Sequence, residues 1–338
     1  MKCIAVADAV DAILCHDITR IVPGEYKGPV FRKGHVVTEA DIPVLLDVGK
    51  EHLFVYEQEP GMLHENDAAE RIVDRVAGRN LHRSEPEEGK ITLRAACHGL
   101  LTVDVETLAR INGLGEIALA TLHTLTEVRE NQAVAGTRVI PLTVREEKIV
   151  AMEREVAGPV VEVLPLRPVS VGIVTTGSEV YHGRIKDGFG PVVERKCANW
   201  GCTVMGQKLT SDDVGLTSAA IREFVDAGAG MVLVTGGMSV DPDDRSPLAI
   251  REAGADIVSY GAPTFPGAMF LLGRIGDAFI MGLPGCVMYH AASIFDIITP
   301  RLLAGLTVTA RDIAMLGHGG FCANCPECDF PLCSFGKY

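Results

Sequence analysis

Between residues 169 and 290, three short apolar runs each end in a Gly-rich turn that also carries an acidic residue or a proline. They read VGIVTTGSEV (171–180), MVLVTGGMSVDPDD (231–244) and FIMGLPG (279–285). The runs are too short to cross a membrane and too rich in Val and Ile for isolated helices, which predicts buried parallel strands. Helical patterns over 190–202, 211–228 and 244–257, a further strand over 202–209 and one apolar helix after Pro284–Gly285, VMYHAASIFDIITPRLLAG, alternate with these runs. That alternation predicts an α/β domain with a doubly wound, mostly parallel sheet. In such a sheet the carboxyl ends of the strands share one edge, so the turns are expected to line a crevice where backbone N–H groups meet an anionic ligand.

The flanking chain has a different texture. Residues 1–165 mix short strands with Pro- and Gly-punctuated turns and form an N-terminal α+β region; ENDAAERIVDRVAG (65–78) has one apolar face and predicts a helix capped by Asn66 or Asp67. The segment 81–90 is polar and turn-rich, a surface loop, and the three prolines of 157–170 mark the boundary to the α/β domain, taken as 166–310. Residues 311–338 form a Cys-rich tail.

A formal charge of −13 argues against a nucleic-acid surface, because neutralising phosphates needs clustered Lys and Arg. No run approaches the roughly 20 apolar residues of a membrane span, and Asp8 and Asp11 interrupt the start where a signal peptide stays apolar. A cytoplasmic protein is expected. The acidic balance favours an anion held by helix N-termini, or by a divalent cation on carboxylates, over a bare basic site.

Each motif has a plain structural reading beside the functional one. TTGSEV offers Thr176 and Ser178 hydroxyls, Gly177 for close backbone approach, and Glu179 as a ligand for a metal or for amino groups; taken alone it is ordinary strand-to-helix turn chemistry. In TGGMSVDPDD, paired glycines, Ser239 and three carboxylates exceed what a turn needs. Asp241, Asp243 and Asp244 are candidates for Mg2+, the alternative being solvated charge with Asp244 as helix cap before Pro247. Ser211, Asp212 and Asp213 precede a helix and read first as caps. Pro284 with Gly285, and FPG at 265–267, shape turns at the expected crevice. His16, His35, His64, His98 and His123, spread through the first region, form no ligand pattern and are read as structural, and Trp200 is expected to pack on the sheet.

The succession TTGSEV, SDD, TGGMSVDPDD, FPGAMF and GLPG resembles the molybdopterin molybdotransferase (MoeA) family and its molybdopterin-binding fold. The likeness extends to the amino-terminal half through AVADAVDAILCHDIT and KGHVVTEADIPVLLDVGKEHLFVYE. It implies a homodimer that binds adenylylated molybdopterin with Mg2+ and inserts molybdate as the adenylyl group leaves as AMP. By motif position it implies Thr176, Gly177, Ser178, Gly236, Gly237, Ser239, Pro284 and Gly285 as ligand-binding residues, and Glu179, Asp212 (or Asp213) and Asp244 as the catalytic acids. The chain departs from the family pattern at Ser178, Asp241–Pro242, Ala268 and Cys286–Val287, where an acid, a Gly–acid pair, a lysine and an Asn–Pro are usual. It also lacks a SAMDGYA-like segment, the nearest acidic candidate being His64, Glu65 and Asp67 in HENDAAERI. These departures touch catalysis more than binding, and place the chain in a divergent branch. A non-catalytic carrier or sensor delivering molybdenum cofactor to a molybdoenzyme is the alternative, and a hydrolase of another nucleotide-linked substrate a third.

The tail HGGFCANCPECDFPLCSFGKY places Cys322, Cys325, Cys328 and Cys333 in the spacing C-x2-C-x2-C-x4-C. Four thiolates match the ligand count of Zn2+ or an iron–sulfur centre. Two disulfides, a redox-reactive tail without metal, and thiolates handling a thiophilic metal in transit are the other readings.

Overall fold

The computed structural model describes residues 2–22, 26–55 and 60–337, and the chain divides into two compact units. The C-terminal unit holds residues 163–338 together with two earlier segments, Cys97–Thr102 and Leu122–Glu130; the rest forms the N-terminal unit. The main segment of the C-terminal unit begins at Val163, and the N-terminal unit is discontinuous. Short strands at Gly99–Val103 and Glu127–Val128 pair across long sequence gaps, which local patterning does not reveal.

The C-terminal unit is built on a six-stranded sheet in the order Thr203–Thr210, Ser170–Thr176, Met231–Thr235, Ala278–Leu283, Leu271–Ile275, Asp256–Tyr260. The first four strands are parallel and the last two antiparallel, so the sheet is mostly parallel as expected, with an antiparallel edge. Val171–Thr175 and Met231–Thr235 are buried throughout, the signature of strands covered on both faces. One face carries Ile173, Val193, Trp200, Phe270 and Phe295; the other carries Val174, Ile221, Phe224, Val234 and Ile250. Edge strand Thr203–Thr210 instead alternates between exposed and half-buried positions until it reaches buried Thr210. Gly172 matters here: a Cβ at that position would lie 2.3 Å from Phe224 Cγ, so its absence lets the helix Val214–Asp226 lie against the sheet.

The helices after the strands run over Phe189–Asn199, Val214–Asp226 and Ser246–Glu252, the last two within the expected windows and the first starting one residue ahead of its own. Trp200 closes the first of them, is buried, and meets Phe295 edge to face at 5.3 Å. Its indole N–H donates to Glu127 at 3.1 Å. One expectation fails: the apolar stretch after Pro284–Gly285 is two helices, Cys286–Tyr289 and Ile294–Leu303, because Ser293 and Asp296 form a capping box that starts the second afresh.

The tail lies within the C-terminal unit. Phe335 is buried in the main core, with Cys322, Phe330 and Cys333 packed against it. Arg301 donates to the Gly336 carbonyl at 3.1 Å, and the Cys322 N–H and the Gly320 carbonyl both pair with Phe265.

In the N-terminal unit, Leu81–Arg83, Lys90–Ala95, Ala133–Val139 and Ile117–Thr121 form an antiparallel four-stranded sheet in that order. The helix Glu65–Val76 packs beside it through Ala69, Ile72 and Val76. Its cap is His64, whose side chain accepts from the Asn66 N–H, rather than Asn66 or Asp67. No helix among the described residues is long and apolar enough to cross a membrane.

Candidate functional site

The chain enters the sheet at Ser170–Thr176, continues on one side with Thr203–Thr210, then returns to the other side with Met231–Thr235. The switch point of the winding thus lies between Ser170–Thr176 and Met231–Thr235, and the carboxyl ends of those strands open into TTGS and TGG. This is where an open α/β sheet offers backbone donors unblocked by a crossing connection. The Ala278–Leu283 strand is parallel to them and delivers Pro284–Gly285 to the same edge. The FPG turn reaches that edge too, since Tyr260 and Leu271 pair there, opposite Gly282.

At the switch point the expected residues are tied into one network. Asp212 Oδ2 accepts both the Ser178 N–H, at 2.9 Å, and the Ser178 hydroxyl, at 2.8 Å, so the acid after the second strand holds the first loop in place. The Thr176 and Ser246 hydroxyls lie 3.1 Å apart, and Ser246 donates to the Gly236 carbonyl at 2.8 Å. Beneath, Thr235 donates to Thr175 Oγ1 at 2.9 Å, as does the Gln207 amide at 2.8 Å. A Cβ on Gly236 would fall 2.2 Å from the Thr176 carbonyl oxygen; with φ at +83° only glycine closes this turn. Ser246 and Gln207 were not singled out in the sequence, and only the Ser–Pro at the helix start hinted at the former.

Glu179, on the short helix Ser178–Tyr181, is exposed, and so are Ser239 and Gly285, while Pro284 is buried. They share the edge, but among the described residues no hydrogen bond ties them to the network. Asp213 caps the helix Val214–Asp226 by accepting from the Leu216 N–H, which leaves Asp212 as the member of the pair that faces the loops.

The carboxylates of the TGG loop are not arranged as expected. Among the described residues no three His, Cys, Asp or Glu side chains are grouped to hold a metal ion. Asp241 and Asp243 are exposed, and Asp244 Oδ2 accepts the Asp241 N–H at 3.2 Å, closing its own turn. Nor is Asp244 the helix cap: that position is Arg245, with Ser246 first in the helix. These residues as they stand do not fit Mg2+. In the tail, Cys322, Cys325, Cys328 and Cys333 line one cavity of about 250 Å3, with Tyr289 and His290 on its wall. The sulfurs border it without converging, so neither Zn2+ nor an iron–sulfur centre fits the present arrangement. All four are free thiols, which sets aside the two-disulfide reading for this structure. Burial pushes the thiol of Cys286 up, keeping it protonated at the crevice edge.

Comparison with known proteins falls on the same region. Residues 172–304 match the family model described as "Probable molybdopterin binding domain", and residues 3–57 match one described as a domain of unknown function. A molybdenum cofactor biosynthesis bifunctional protein of Synechococcus elongatus is 26% identical over 170 residues, 49% of this chain and 51% of the relative; the chain thus spans about half the length of that curated relative. Among solved structures, the molybdopterin biosynthesis enzyme MoaB of Thermus thermophilus is similar at 19% identity over 40% of this chain and 97% of its own, with a TM-score of 0.33. A molybdenum cofactor biosynthesis protein of Pyrococcus furiosus is similar over 90% of this chain and 63% of its own, at 10% identity and a TM-score of 0.28.

Proposed function

We propose that the C-terminal unit binds molybdopterin or its adenylylated form at the switch-point edge, and that the chain serves molybdenum cofactor synthesis. The observation that carries this reading is the Asp212–Ser178 and Ser246–Gly236 network, which fixes two glycine loops at the switch point inside the segment that matches a molybdopterin-binding model. A phosphate suits the backbone donors of such loops, and the pterin's amino groups suit exposed Glu179. The finer reading is insertion of molybdate with release of AMP.

A specific observation favours a second reading, a non-catalytic carrier that hands cofactor to a molybdoenzyme: the carboxylates expected to hold a metal are spread, with Asp244 folded back on Asp241. One experiment separates the two. The full chain is incubated with adenylylated molybdopterin and molybdate, with and without added Mg2+, and AMP and molybdenum-loaded cofactor are assayed beside ligand binding. Loaded cofactor with stoichiometric AMP supports insertion; tight binding without AMP supports the carrier. Absence of pterin binding sinks both.

A further inference from the structure

Cys322, Cys325, Cys328 and Cys333 take no part in the switch-point network, yet all four line one cavity of about 250 Å3 inside the C-terminal unit. Aromatic side chains make up much of the remaining wall, with Tyr289 and Phe321 exposed and Phe335 buried. Asp329 supplies the single carboxylate among the lining residues, and His290 an imidazole. Sulfur therefore dominates the donor set, which favours a soft ion over a hard one.

The four sulfurs divide into two pairs that differ in what holds them. Cys322 and Cys333 are half-buried and pack against the main core, and the Cys322 N–H donates to the Phe265 carbonyl at 2.8 Å. Cys325 and Cys328 are exposed and flank a bend at 326–327, in a stretch, 322–329, without helix or strand. Asn324, with φ at +52°, turns the chain just before them. Two cysteines three residues apart with a bent chain between them are the spacing at which a short loop grips a metal.

This division decides which ion the segment suits. A closed tetrahedral centre needs all four sulfurs at once, so the two that the core holds would have to leave it, and no three donors are grouped among the described residues. An ion content with two thiolates asks only the exposed pair to close on it. Soft monovalent cations of the copper group have that coordination.

We propose that Cys325 and Cys328 bind one Cu(I) between their thiolates at the exposed rim of this cavity. Two S–H bonds give way to two S–Cu bonds, two protons pass to solvent, and the copper keeps its oxidation state. The inference is independent of the pterin reading.

The test titrates the full chain, reduced and under nitrogen, with Cu(I) against a coloured Cu(I) chelate, and in parallel with Co2+ as a spectroscopic stand-in for Zn2+. Wild type should withdraw one equivalent of Cu(I) from the chelate. Cys325→Ser and Cys328→Ser should each lose that equivalent while melting like wild type, because both positions are exposed. Cys3→Ser, at the other exposed cysteine, and Cys333→Ser should keep it. Co2+ should give no intense tetrahedral thiolate bands. Failure to take up Cu(I), uptake undiminished in Cys325→Ser, loss of uptake in Cys3→Ser or in a folded Cys333→Ser, or a tetrahedral Co2+ spectrum overturns the proposal.

Discussion

At Gly236 a single methyl group decides whether the candidate pterin site closes. Its Cβ would sit 2.2 Å from the Thr176 carbonyl at a backbone angle that L-residues avoid, so Gly236→Ala should destabilise the fold by about 2–4 kcal/mol. Denaturant unfolding measures this, and a variant as stable as wild type would show that the two loops do not meet so closely. Asp212→Ala should be milder in stability, about 1–2 kcal/mol for two lost hydrogen bonds, but should weaken pterin affinity by an order of magnitude because Ser178 and its loop are released. Glu65 makes a stability prediction with a definite sign. Its pKa is raised from 4.5 to about 7, so the native state holds the proton more tightly than the unfolded chain. Stability from this group is full below pH 4.5 and is lost as pH rises to 7, a loss of about 3 kcal/mol by linkage. Glu65→Gln should flatten that part of the melting-temperature profile between pH 5 and 8.

Among the elements, neighbouring acids take different duties. Asp213 caps the helix Val214–Asp226, so Asp213→Ala should cost about 1 kcal/mol in thermal unfolding and leave pterin binding unchanged, the reverse emphasis of Asp212→Ala. The sequence SDD shows that a helix starts here and that an acid caps it, because capping is local chemistry. Which acid turns to the ligand loops depends on a contact 34 residues away, at Ser178. The break at 290–293 has the same origin: an apolar run reads as one helix, while the Ser293–Asp296 capping box starts a second. Strand identity was plain from the sequence, since runs buried on both faces lose their alternation; the antiparallel edge was not, since strand direction leaves no trace in residue spacing.

For the whole molecule, the carboxyl-terminal segment behaves as part of the core. Phe335 is 3% exposed, so a chain ending at Gly320 should lose about 3–5 kcal/mol of stability and melt several degrees lower. A truncated chain that melts like the full one would return the segment to the status of an appendage. The sequence alone determined the α/β class, the buried strands and the glycine turns that end them, because apolar periodicity and turn chemistry act over a few residues. Only the tertiary structure decided that Asp212 meets Ser178, that Gly236 rests on Thr176, that the carboxylates and thiols stay unconverged, and that Tyr289 and the tail cysteines line one cavity. These are contacts between distant segments, set by how the strands pair and how side chains fill the space between them, and no local pattern encodes them.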